Sequence, residues 1–478
     1  MTLVATFLVN AALSFALSLV LASLLGPDAF GRYAIGLSIA TVVNTMLFEW
    51  LRLSTTRYQS ERAQKERPSI RRTLDATYWI MAAVLAGLTA LVLPFGPAGL
   101  SRPLLLAASA CGLSYGFCEY RMALSRALFR EKSYVALAFL RALFGFLLSA
   151  GAAQATGDPV LALAGAALAA ALPILLVQHS LRAPEARGAP FDAKALARFA
   201  RYAVPLVAAN AVYQLMPLLN RGLLASRDGF VEAGYFALIS EIATRLFQNL
   251  GTALDIVLFQ IAVRIDEQEG REAAERQIAR NAGIVAAVTL PAAAGLWIVW
   301  PAFEEIFVPR SFRGHLDGCV PFLIPALALY ALIQFAVNPY FQLRHRTGPV
   351  VSAALVAIGV NLVAALAWPR LPGAPGFALA QFAGLAAGFL TLLSVALVGG
   401  ARLPWRDLAL SALAAAAMAA VLLPTRNLGA PVPTLAGQVV AGGAVYGLLA
   451  LAFDLCGCRA LLAGALARAR PVRDARLR

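Results

Sequence analysis

The sequence predicts an all-α polytopic membrane protein: about 14 transmembrane helices in two parallel six-helix lobes related by an axis along the membrane normal, plus an additional C-terminal helix pair. Three observations carry this. Hydrophobic residues make up 60% of the 478 positions and charged residues only 14%. Basic residues crowd into alternate loops. The chain also resembles itself at an offset of 203 residues.

Apolar runs long enough to cross hydrocarbon as helices lie near 3–25, 33–51, 74–96, 103–120, 134–154 and 158–178, and again near 202–224, 232–262, 281–301, 316–342, 348–368 and 375–399. A last pair lies at 407–424 and 434–455. The first run begins near Met1 without a basic leader region and is long for a signal peptide, so it is expected to span.

The net charge of +15 raises the question of nucleic acid, and its distribution answers against it. Lys and Arg number 7 in Arg52–Thr73, 4 in Glu119–Ser133, 5 in His179–Arg201 and 4 in Val263–Arg280. Gly400–Arg406 and Leu343–Thr347 carry 2 each, and the tail after Leu455 carries 6. The opposite loops hold only 7 in all. By the positive-inside rule the basic side is cytoplasmic, both termini included. Five cysteines form no disulfide framework, and Cys456 with Cys458 read as interfacial thiols rather than a metal pair.

Aligning Leu21–Thr41 with Leu224–Thr244 gives nine identities in twenty-one positions, among them Gly26/Gly229, Gly31/Gly234 and Ala34/Ala237. Chance in so Ala- and Leu-rich a chain gives roughly two. The offset spans six segments, an even number, so both halves enter the membrane in the same direction. The expected division is an N-lobe at 1–178, a cytoplasmic connector at 179–201, a C-lobe at 202–399, and the extra pair with a basic tail at 400–478. Asp192 suits an N-cap for Ala193–Arg201. That stretch is either an amphipathic interfacial helix, with Leu196, Phe199 and Tyr202 toward lipid, or an extension of segment 7.

Polar groups within spans are costly, so their spacing is informative. Segment 8 carries Glu241, Arg245, Gln248, Thr252 and Asp255 at steps of three and four, one helical face. Segment 2 carries Ser38, Thr41, Thr45, Glu49 and Arg52. Four members coincide under the repeat, so the two helices are expected to face each other across a hydrated cavity. Asn210, Gln214 and Arg221 in segment 7 extend the lining, and Asn338 in segment 10 joins them. Arg221, Arg245 and Arg141 are the candidate anion ligands, since a guanidinium stays charged and donates in a fork that fits phosphate. Simpler roles compete. Glu241 and Arg245 stand at i,i+4 and can neutralise each other. Arg221 can snorkel outward. Glu49, Arg52, Glu119 and Arg121 lie near the cytoplasmic surface.

No histidine cluster, zinc spacing or phosphate-binding loop occurs, so the chain reads as a non-enzyme without cofactor or metal. Glu241, Asp255 and Glu49 are the carboxylates available to couple an H+ or Na+ gradient.

Leu24–Tyr33, reading LLGPDAFGRY, resembles the turn between the first two helices of polysaccharide-exporting flippases of the O-antigen type. These belong to the multidrug/oligosaccharidyl-lipid/polysaccharide exporter superfamily. Glu232–Phe236, Tyr202–Leu206, Gly359–Leu362, Pro369–Leu371 and Gly376 also resemble family positions. At Asn220-Arg221 the family often has Asp-Arg. The resemblance covers 1–399. It implies a transporter that flips polyprenyl-diphosphate-linked oligosaccharide from the inner to the outer leaflet by alternating access, for lipopolysaccharide O-antigen or other surface polysaccharide. Its implied setting is the bacterial inner membrane, beside polysaccharide polymerase machinery. The alternatives are a lipid II-type peptidoglycan precursor flippase, which also has fourteen helices, and a cation-coupled multidrug exporter.

Overall fold

The computed structural model describes residues 2–60, 66–95, 100–344, 346–367 and 372–460, with the side chains of 2–8 left aside. His345, Pro369–Leu371 and most of the basic tail therefore lie outside the described residues.

Among the described residues every regular element is helical. In chain order they are α1 (Thr2–Val43), α2 (Glu49–Tyr58), α3 (Pro68–Val92), α4 (Arg102–Ala127), α5 (Glu131–Phe144), α6 (Ala150–Thr156), α7 (Pro159–Val177) and α8 (Pro184–Arg187). There follow α9 (Ala193–Asp228), α10 (Phe230–Glu269), α11 (Arg271–Phe307), α12 (Val320–Leu332), α13 (Asn338–Leu343), α14 (Gly348–Ala367), α15 (Ala374–Val398), α16 (Trp405–Leu422) and α17 (Pro431–Phe453). Among the described residues twelve helices are long and apolar enough to cross a membrane. Two of the expected segments do not stand among them as separate spans. Segments 1 and 2 run together in Val9–Tyr58, and α4, at the place of segment 4, is not one of the twelve. Large side chains such as Trp79, Val363, Val440 and Leu448 are well exposed on these helices, as expected of surfaces that meet lipid rather than water.

The joined span is still broken where the sequence places a turn. Gly26 sits at φ 68°, ψ 175°, with Pro27 following. Its repeat partner Gly229 sits at φ 95°, ψ 167°, and separates α9 from α10. Both backbones lie in a region that only glycine enters without strain. The chain thus makes the same turn twice, 203 residues apart.

Three π-helical turns widen the helices at Asn44–Phe48, Gly145–Ser149 and Ile333–Val337. Each contains or lies within about one turn of a polar position singled out above: Thr45 and Glu49, Arg141, and Asn338. A π turn displaces the side-chain register by one residue and is a frequent companion of functional positions.

Helix starts follow cap chemistry. Ser101, Asp158 and Asp192 each accept a hydrogen bond from a backbone N–H in the first turn of α4, α7 and α9. The Asp192 cap is the expected one, but the helix it starts runs unbroken to Asp228. Residues 193–201 are an extension of segment 7. Phe199 does not face lipid: it is 1% exposed, with its ring 5.0 Å from that of Tyr58. Tyr202 meets Tyr58 edge-on and lies under Arg57. The end of α2 offers an apolar surface that this face of α9 covers.

The chain forms two compact units. The first comprises Met1–Arg245, Pro309–Leu323 and Thr347–Gly388, and the second comprises Leu246–Val308, Ile324–Arg346 and Phe389–Arg478. In the first unit the start of α10 crosses α1 at two glycines. A β-carbon on Gly31 would overlap the Phe230 carbonyl oxygen, and one on Gly234 would overlap that of Pro27. Both pairs are repeat equivalents, so the contact is reciprocal, as at a local two-fold axis. Above it Phe312 packs edge-on against both Phe30 and Tyr235, and His315 stacks on Tyr235. In the second unit Met418 and Leu422 of α16 pack on Ile298 of α11.

Candidate functional site

The first unit gathers Arg221 from α9, Glu241 and Arg245 from α10, and Ser38 from α1. Arg221 reaches across both helices. Its Nη1 donates to Ser38 Oγ at 2.8 Å and to the Ala34 carbonyl at 3.2 Å, and its Nη2 donates to Glu241 Oε1 at 3.2 Å. Ser38 and Glu241 are repeat equivalents, and they flank the same guanidinium. Arg245 stands one turn beyond Glu241 and forms an ion pair with its other oxygen at 3.4 Å.

One carboxylate therefore serves two guanidinium groups. The i,i+4 neutralisation considered above is present, but it is shared and leaves one positive charge uncompensated. The Arg221 side chain is 5% exposed, so it does not snorkel to water, while that of Arg245 is 27% exposed. The Nε of each has no hydrogen-bond partner and is shut off from solvent. Unpaired donors on buried cations are costly.

Two further pairs lie in the same unit. Arg141 of α5 donates to Glu119 of α4 at 2.6 Å, and Tyr115 lies near its guanidinium. Glu49 accepts from Arg52 at 2.8 Å and from Asn210 at 3.0 Å. Glu49 thus bonds both its own helix and α9, rather than lying free at the interface. Thr41 is tied to the Leu37 carbonyl, Thr45 is buried within the π turn, and Gln214 is half-buried on α9.

The rest of the α10 stripe, Gln248, Thr252 and Asp255, belongs to the second unit and is half-buried. Asp255 lines a small recess with Asn281 and otherwise apolar side chains such as Leu258, Phe259 and Phe335. Asn338, also in the second unit, donates to Gln334 at 2.7 Å next to the third π turn. The same unit holds an apolar pocket of about 250 Å³ between α11, α12 and α15, with Glu275 and Arg402 among its lining.

Sequence reasoning missed two features. One is the Glu119–Arg141 pair. Both residues stand eleven positions from Arg130 at the α4–α5 turn, and that symmetric spacing in a helical hairpin was the available signal. The other is a fully buried amide cluster. Asn220 bonds Asn361 of α14 at 3.1 and 2.8 Å and Gln381 of α15 at 3.1 Å. It fixes α9 immediately before Arg221. Asn serves here because an amide both donates and accepts, which an ionised acid would not.

A sequence profile described as "Polysaccharide biosynthesis protein" matches residues 20–311, more than half of the chain. Comparison with curated proteins gave no match. Among solved structures, lipid II flippase MurJ in an inward closed conformation aligns with a TM-score of 0.71 at 14% identity, over 96% of this chain and 98% of that one. An inward-facing multidrug resistance MATE family transporter of the MOP superfamily aligns with a TM-score of 0.59 at 14% identity, over 82% and 94%. The outward-facing conformation of such a transporter gives 0.52 at 14% identity, over 84% and 95%. At these identities the likeness is one of fold. The chain is a multi-pass membrane protein that belongs to the family of polysaccharide biosynthesis proteins and has the fold shared by MurJ and the MATE transporters of the MOP superfamily.

Proposed function

We propose that this protein flips a polyprenyl-diphosphate-linked oligosaccharide from the cytoplasmic to the outer leaflet of the bacterial inner membrane. The observation that carries the reading is the Arg221–Glu241–Arg245 cluster, in which two guanidinium groups share one carboxylate and keep donors without partners. A diphosphate supplies the missing charge and acceptors. Arg141 is the third ligand in this reading, once released from Glu119. The half-buried polar residues of the α10 stripe would meet the sugars. The polyprenyl tail would remain in lipid.

Movement follows from the repeat. Two lobes with parallel topology can rock about a shared site so that it opens first to one side and then to the other. The N-lobe at 1–178 and the C-lobe at 202–399 are the moving parts in this account, and the pair at 407–455 is added to the second. Glu241 can couple an H+ or Na+ gradient to the cycle, because its neutralisation would free both arginines at once. The natural destination is O-antigen or another surface polysaccharide, with the polymerase as downstream partner.

The test is transport in a host deleted for the gene. Loss of surface polysaccharide, with lipid-linked glycan accumulating in the inner leaflet, supports the flippase. A second reading, a lipid II-type flippase, is favoured by the alignment with MurJ over nearly the full length of both chains. Accumulation of lipid II instead of the oligosaccharide would select it. Unchanged glycan with altered resistance to cationic drugs would point to the multidrug exporter.

A further inference from the structure

We propose a second anion site, distinct from the Arg221 cluster and built for a phosphate group. It is the basic pocket where α3 and α4 meet α8 and the chain just before it. The pocket holds about 410 Å³ and is predominantly polar. Five arginines border it, Arg71, Arg72, Arg121, Arg182 and Arg187, against one acid, Asp75.

Asp75 offsets only one of the five positive charges, that of Arg71. One of its oxygens accepts from Arg71 Nε at 2.8 Å and the other from the Tyr120 hydroxyl at 2.7 Å, so both are occupied. These bonds hold Arg71 in place. Its side chain is 2% exposed, its Nη2 donates to the Leu181 carbonyl at 3.4 Å, and its Nη1 has no partner. Arg121 lies over Phe117 and Tyr120, and its Nε is likewise buried without a partner. Arg72, Arg182 and Arg187 are exposed at the rim. A buried guanidinium with an unmet donor, flanked by four more cations, is an arrangement that an oxyanion completes. Phosphate fits best, because several oxygens can take several forks at once.

The position gives binding a consequence. Arg182 and Arg187 lie on the connector between the two repeats, while Arg71 and Arg121 lie on helices of the first. A bound phosphate tethers the connector to α3 and α4. The phosphate can come from a soluble diphosphate or from an anionic lipid headgroup, and the experiment separates the two.

Full-length protein carrying Arg245→Ala, which weakens the cluster described above, is purified in detergent at low salt. Trypsin cleavage after Arg182 and Arg187 is followed by mass spectrometry while inorganic pyrophosphate is titrated, with chloride at matched ionic strength as control. Native mass spectrometry then compares retention of phosphatidylglycerol with that of phosphatidylcholine. The expected result is protection by pyrophosphate that weakens at least tenfold in Arg121→Gln and in Arg71→Gln. Gel filtration of the Arg121→Gln protein checks its fold, in case the buried Arg71 does not tolerate replacement. If pyrophosphate does not protect, but phosphatidylglycerol is retained preferentially and Arg121→Gln abolishes that preference, the phosphate is a lipid headgroup. Equal behaviour of the parent and folded Arg121→Gln toward both ligands overturns the proposal.

Discussion

Gly31 and Gly234, 203 residues apart in sequence, each bring a helix so close to the other that neither position has room for a β-carbon. The clash partners are themselves repeat equivalents, Phe230 and Pro27. Because the obstructing atoms are backbone carbonyls, a side chain at either glycine must push the two helices apart. Gly31→Val and Gly234→Val should each destabilise the protein by at least about 1–3 kcal/mol, the usual range for overpacking. Thermal unfolding in detergent measures it, and an unchanged midpoint would refute the contact.

The buried amide cluster makes a prediction about folding rather than transport. Asn220→Leu leaves Asn361 and Gln381 without their partner in a site that excludes water. The expected cost is roughly 1–3 kcal/mol per stranded group, read as lower expression and a lower melting temperature. Asn220→Asp should be no better than Leu, because a carboxylate cannot donate to the amide oxygens.

Arg141 can be separated from its ion pair by exchange. Glu119→Arg and Arg141→Glu should each lower protein level, since each places two like charges together. The double exchange should restore the level. If Arg141 holds the diphosphate, flipping stays absent in that protein. Restored flipping would assign Arg141 to the ion pair alone.

A thiol outside the spans, Cys456, should react slowly. Burial, with Asp407 and Cys458 adding to it, pushes the Cys456 thiol up to about 11. Alkylation of Cys456 by a neutral maleimide should therefore rise about tenfold per pH unit between pH 7 and 10, as the thiolate is the reactive species. A rate already near its plateau at pH 8 would contradict this.

Much of this molecule was legible in the sequence, for physical reasons. Spans declare themselves by length and apolarity, and the glycine turns by a backbone that only glycine adopts freely. Gly26 and Gly229 stand out in the sequence as a repeat pair. The Glu241–Arg245 face was visible because helical periodicity puts such residues in line, and Ser38 because it is the repeat equivalent of Glu241. What periodicity does not reveal is who meets whom between helices. Arg221 bridging Ser38 and Glu241, Glu119 taking Arg141, and Asn220 joining Asn361 and Gln381 are all contacts over long sequence separations. Phe199 illustrates the converse. An apolar face on an amphipathic stretch is equally suited to lipid or to a neighbouring helix, and here the end of α2 takes it.

The most direct test of the central claim is the leaflet distribution of lipid-linked glycan in cells making only Arg245→Ala protein. Arg245 is partly exposed and its loss leaves the Arg221–Glu241 bond in place, so protein level should stay near normal. The account predicts undecaprenyl-diphosphate-linked oligosaccharide accumulating in the inner leaflet, with surface polysaccharide reduced at least tenfold. Wild-type distribution at a wild-type protein level would contradict it.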